Sequence, residues 1–109
     1  MKKYCIVGCG GCGQEVLGYL EDILGAECSD KAVFMVTSGV TAPTNLDIPV
    51  IHLDAFDPTQ YLTVVAIGSP YSRRAVVEQL PSNTEYGTLI HPSAVVSKRA
   101  QIGVGTIIA

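Results

Sequence analysis

The stretch KYCIVGCGGCG, residues 3–13, limits the fold more than any other part of the chain. A short apolar run, Lys3–Val7, is closed by glycines, which predicts a buried parallel strand. From Gly13 onward the pattern turns helical. Val16, Leu17, Leu20, Ile23 and Leu24 form one helical stripe, Glu15, Glu21 and Asp22 fall mostly off it, and Gly25 is a plausible stop.

Two further apolar runs repeat the theme. AVFMV (Ala32–Val36) predicts a second buried strand, and LTVVAI (62–67) a third that runs into the turn Gly68-Ser69-Pro70. Between them lies a loop rich in Thr, Ser, Gly and Pro, with a short strand expected over 49–52. Residues 72–80 read as a helix with Val76, Val77 and Leu80 on one face. This alternation calls for an α/β fold, a parallel sheet with helices packed on it.

Residues 5–13 carry two competing motifs. Their cysteines, Cys5, Cys9 and Cys12, match the C-x3-C-x2-C spacing of radical-SAM iron–sulfur sites, and Cys9 with Cys12 also matches a C-x-x-C redox pair. Their glycines, Gly8, Gly10 and Gly13, match G-x-G-x-x-G. The glycine reading has the context it requires, since a strand precedes the motif and a helix follows it. Gly8 permits the tight turn, Gly10 lets a ligand approach backbone, and Gly13 lets helix pack on strand. N–H groups around Gly11 to Gln14 are then expected to hold an anion such as a diphosphate. Ordinary reduced thiols are the preferred reading of the cysteines. A dinucleotide would want an acidic residue after the second strand, where this chain has Thr37-Ser38, and is disfavoured.

Past Pro81 the periodicity changes again. Ile90, Val96, Ile102 and Ile108 recur every six residues, and Ala94, Ala100 and Thr106 form a second column four residues later. Six-residue rungs are the signature of a left-handed β-helix. Residues 90–107 amount to one three-rung coil, and such units need stacked neighbours for stability. The pattern stops midway, which reads as a truncated chain. The expected organisation is a Rossmann-like unit over 1–87 and the start of a β-helix over 88–109.

Composition narrows the function classes. A formal charge of −3, with no cationic cluster longer than Lys98-Arg99, argues against nucleic acid. No apolar run approaches the roughly 20 residues of a membrane span. Four cysteines without a secretion signal suggest a cytoplasmic protein.

Three segments, VGCGGCGQEVL (7–17), VVAIGSPYSRRAVVEQL (64–80) and LIHPSAVVSKRAQIGVGTIIA (89–109), together resemble the bacterial sugar acyltransferases related to sialic acid O-acetyltransferase and the UDP-4-amino-sugar N-acetyltransferases. The resemblance implies a small Rossmann-like domain before a left-handed β-helix, assembled as a homotrimer when full length. It implies acyl transfer, usually acetyl from acetyl-CoA as co-substrate, to an amino or hydroxyl group of a nucleotide-linked sugar. Carried over by position, Gly8, Gly10, Gly11, Cys12 and Gly13 would line the nucleotide-sugar near its phosphates, Thr37 and Ser38 would lie at the same site, and Gly68 and Ser69 would close the crevice. Arg73 could reach an anionic group. The family often has histidine at the position of Cys12 and an acidic pair at Thr37-Ser38, so the nucleotide stays open. No catalytic residue is assigned, because the family's histidine base sits in a later β-helix coil and its acetyl-CoA surface lies between β-helices of neighbouring subunits; no metal ligand is assigned either. His52 is expected to be an exposed loop residue and His91 a structural one. The chain by itself is not expected to turn over. Two other readings stand beside this one: a nucleotide- or dinucleotide-binding module, and a non-catalytic assembly domain.

Overall fold

The computed structural model describes residues 2–37, 46, 48–92, 94 and 107–108. Strand β1 (Lys3–Val7) leads into helix α1 (Gly11–Leu24), a 3-10 turn, the short helix α2 (Cys28–Lys31) and strand β2 (Ala32–Val36). Strands β3 (Val50–His52) and β4 (Tyr61–Val65) follow, then helix α3 (Pro70–Gln79), β5 (Leu89–Ile90) and β6 (Ile107–Ile108). The first two strong strands fall where the apolar runs predict them. Helix α1 starts two residues before Gly13, and Gly25 ends it with φ 65°. Helix α3 begins two residues earlier than the apolar face suggests, because Pro70 takes its first turn and the Ser69 hydroxyl accepts from Ser72 N–H at 3.5 Å. His52 ends β3 rather than lying in a loop, and it is exposed.

Four strands pair in the order β3-β2-β1-β4, all parallel. Alternate residues of each strand supply two separate cores, since side chains along a strand point to opposite faces. Ile6, Phe34 and Val64 meet Val16, Leu17 and Leu20 of α1 on one face. On the other, Cys5, Val7, Val33 and Met35 meet Val76 of α3 and Leu80, which caps its end. A sheet covered on both faces explains why β2 is buried along its whole length and reads as a continuous apolar run. The expected small α/β sheet with flanking helices is thus the fold.

Beyond α3 the chain returns along the outer edge of β4. Thr63 N–H donates to Glu85 O at 2.8 Å and Gly87 N–H donates to Thr63 O at 3.0 Å, so residues 85–87 cover that edge. Strands β5 and β6 pair in parallel with Leu89 opposite Ile107 and Ile90 opposite Ile108. The residues of the six-residue pattern between them lie, with the exception of His91, Pro92 and Ala94, outside the described residues. Just after β5, His91 Nε2 lies 2.7 Å from Asp22 Oδ2, and its ring stands edge-on to Tyr19 with centroids 5.7 Å apart. The Tyr19 hydroxyl in turn donates to Glu15, a bond that holds its pKa above the ordinary tyrosine value.

Candidate functional site

The site forms where three strands end. Gly8 turns the chain out of β1 with φ 104°, a conformation that side chains rarely adopt. Its N–H donates to Met35 O at 3.0 Å, while Ala66 N–H donates to Val7 O at 2.9 Å, so the ends of β1, β2 and β4 are stitched together. A Cβ at Gly13 would sit 1.9 Å from Gly8 O, so only glycine lets α1 come down onto the turn. At Gly10 a Cβ would meet nothing within 4 Å, which leaves the turn's outer surface open.

Gly10 caps α1 without any side-chain hydrogen bond. The first-turn N–H groups of a helix have no partner within it, and they lie at the positive end of its dipole. In this helix those are the groups of Gly11, Cys12 and Gly13. Gln14 does not belong with them as expected: its N–H already donates to Gly10 O at 2.9 Å.

A pocket of about 230 Å³ opens here, lined by Val7, Gly8, Cys9, Gly10, Met35, Val36, Thr37 and Ile67. It lies at the carboxyl ends of the strands, beside the point where the chain switches from building toward β2 to building toward β4. Open parallel sheets bind ligands at that place. A larger open hollow of about 490 Å³ lies at the opposite, amino ends of β1 and β4, bounded by Lys2, Lys3, Thr59, Gln60 and Tyr61. Lys2 there is ion-paired with Glu85, and the glycine turn is remote from it.

Of the residues expected at the site, Gly8, Gly10 and Thr37 line the pocket. Gly11 and Cys12 are exposed on the first turn of α1, and Gly13 is buried against Gly8. Gly68 and Ser69 form the neighbouring turn and Arg73 lies in the first turns of α3, none of them in the pocket wall. Arg73 Nε donates to Ile67 O at 3.1 Å, which ties that turn to a pocket-lining residue. Ser38 lies outside the described residues. Sequence reasoning missed Val7, Cys9, Met35, Val36 and Ile67, although each is at or just beyond a strand's carboxyl end, and that position was the available signal.

The cysteines part company in space. Cys5 is fully buried in one core, and burial pushes its thiol up to about 12. Cys9 packs against the core on the other face of the sheet, and Cys12 is exposed. Thiols on opposite faces of a sheet do not converge on one cluster. Among the described residues no group of three or more His, Cys, Asp or Glu is placed to hold a metal ion.

A small parallel sheet with flanking helices and a glycine turn at the end of its first strand defines the class as an α/β fold. No family model matches the chain. It is 35% identical over 112 residues to a UDP-N-acetylbacillosamine N-acetyltransferase of Bacillus subtilis (strain 168), covering 99% of this chain and 51% of that protein. Among solved structures it is similar to the acetyltransferase domain of PglB from Neisseria gonorrhoeae FA1090. The domain in complex with acetyl coenzyme A matches with TM-score 0.71 and 29% identity over 97% of this chain and 52% of the other. A second structure of the domain matches with TM-score 0.72 and 29% identity over 98% and 53%. The chain is thereby related to the bacterial sugar acetyltransferases, and it spans about half the length of the relatives it matches.

Proposed function

We propose that this chain is the nucleotide-sugar-binding part of an acetyltransferase that moves an acetyl group from acetyl-CoA to an amino or hydroxyl group of the sugar. The observation that carries the reading is the 35% likeness to a UDP-sugar N-acetyltransferase, which runs through 99% of the chain. The site chemistry is consistent with it. The open glycine turn and the uncapped start of α1 suit a diphosphate, and the pocket beside them suits the nucleoside. Gly8, Gly10 and Thr37 would line the ligand, Gly11 and Cys12 would face its phosphates, and Gly68, Ser69 and Arg73 would border it, with Ser38 beside Thr37.

In such a transfer the acceptor attacks the thioester carbonyl and loses a proton to a base. No residue of this chain is proposed as that base. His91 is already engaged with Asp22 and Tyr19, which supports a structural role. The β5–β6 pairing supports the start of a left-handed β-helix: Leu89 and Ile107 are 18 residues apart, the length of three six-residue rungs. With that β-helix goes the proposal of a homotrimer, in which the acetyl-CoA surface lies between the β-helices of neighbouring subunits. No helix among the described residues is long and apolar enough to cross a membrane, and cytoplasmic residence is proposed with the rest.

Calorimetric titration with UDP-, GDP-, dTDP- and CMP-linked sugars, with NAD⁺ alongside, tests the reading. Saturable binding of one nucleotide sugar is expected, and Gly10→Val should abolish it with only a small drop in melting temperature, because a Cβ there enters open space and the change costs no more than a weaker N-cap. Binding of NAD⁺ alone would overturn the reading in favour of a dinucleotide module. Failure of every ligand to bind would leave an assembly domain as the better account.

A further inference from the structure

Tyr71 is the large side chain that the fold uses least. It is 89% exposed, whereas Ile23, Val77 and Ile90, the other large apolar side chains at the described surface, are at most 39% exposed. A tyrosine ring carries a large apolar area, and leaving it in water forgoes the free energy of burying it. Nothing in the core depends on it.

Its mount, by contrast, is well anchored by contacts. Tyr71 is the second residue of α3, directly after the turn that leaves β4, and so lies at the same edge of the sheet as the pocket. Pro70 and the Ser69 cap fix the start of that helix. Arg73 Nε, bonded to Ile67 O at 3.1 Å, ties the first turn to a residue of the pocket wall.

The pocket, at about 230 Å³, is smaller than the roughly 300–1,000 Å³ of sites that enclose drug-sized ligands, so a nucleotide sugar must extend beyond it. The strand order sets the direction. Thr37 follows β2, the start of α1 stands over β1, and Ile67 and α3 follow β4 on the far side. A nucleoside on the β2 side with its diphosphate at α1 sends the sugar out toward β4 and α3.

We propose that Tyr71 is a sugar-recognition residue, offering its ring to the apolar C–H face of the pyranose as it leaves the pocket. The proposal rests on the nucleotide-sugar reading above and adds to it the residue that distinguishes a sugar-linked nucleotide from the bare nucleoside diphosphate.

The test compares UDP-N-acetylglucosamine with UDP, or the matching pair for whichever nucleotide the titrations select, on wild type, Tyr71→Ala and Tyr71→Phe. Tyr71→Ala is expected to weaken the nucleotide sugar about five- to tenfold, the worth of one aromatic packing contact, and UDP by less than about twofold. Tyr71→Phe should keep wild-type affinity. The chain has five tyrosines and no tryptophan, so tyrosine fluorescence supplies a second readout. A change on adding the nucleotide sugar, absent with UDP and lost in Tyr71→Phe, is expected. Equal weakening of both ligands in Tyr71→Ala would overturn the proposal, as would unchanged affinity for both. Altered self-association in Tyr71→Ala with binding unchanged would assign the ring to a subunit contact, and also overturns it. If wild type binds neither ligand, the nucleotide-sugar reading itself fails, an outcome distinct from these.

Discussion

At the scale of single residues, Cys5 shows how burial converts an ordinary thiol into a determinant of stability. It sits in the middle of β1 with no exposed surface, and desolvation of its thiolate raises its pKa from 9.0 to about 12. Above pH 9 the unfolded chain gives up the Cys5 proton while the folded chain keeps it. The folded state then binds more protons, so stability is full below pH 9 and falls as pH rises toward 12. Each pH unit in that window removes about 1.4 kcal/mol through this group. Denaturant titrations from pH 8 to 11 should show that loss in wild type and a shallower one in Cys5→Ala, whose own stability is lower at pH 8. Equal slopes for the two proteins would show that Cys5 ionises as easily folded as unfolded.

At the scale of elements, the turn between β1 and α1 makes two glycines of one helix respond in opposite ways. The Cβ of Gly13→Ala would fall 1.9 Å from Gly8 O, which is backbone and cannot swing aside. Helix α1 would have to lift from the sheet, at a cost of about 3 kcal/mol or more. A Cβ at Gly18, five residues on in the same helix, meets nothing within 4 Å. Gly18→Ala should therefore stabilise by about 1 kcal/mol through helix propensity alone. Thermal melts of the two variants check both signs, and ligand titrations should show loss of binding only for Gly13→Ala. These responses follow from packing, because G-x-G-x-x-G is the same string whether or not a backbone oxygen stands opposite its last glycine.

At the scale of the whole molecule, the sheet unit and the segment after it are tied through His91, Asp22 and Tyr19. Asp22 is more than half exposed, so the tie contributes only about 1 kcal/mol or less. In Asp22→Ala the melting temperature should fall slightly, and amide exchange at Leu89 and Ile90 should quicken while that of β1 stays as it was. Uniform change along the chain would mean that Asp22 acts on α1 as a whole and not at this junction.

Most of the sheet was legible because its strands are covered on both faces, so KYCIV, AVFMV and LTVVAI read as unbroken apolar runs between turn residues. The glycine turn was legible for a related reason: backbone conformation and close approach each exclude side chains. The apolar half of the pocket was not. Val7, Met35 and Ile67 look like strand residues in sequence, and only the strand order places their ends around one cavity. The parting of Cys5 and Cys9 was hidden as well, since four positions in a string say nothing about which face of a sheet each will meet. By itself, then, the sequence determined the main strands and the two longer helices, their order and the turn that must be glycine, because these depend on local sterics and on periodicity. It did not show the short helix α2 or the end of β4 at Val65 in place of residue 67. Which residues share the pocket, how Gln14 spends its N–H, and that Asp22 meets a histidine 69 positions away were decided by tertiary structure, because each requires elements distant in the chain to be packed before the contact exists.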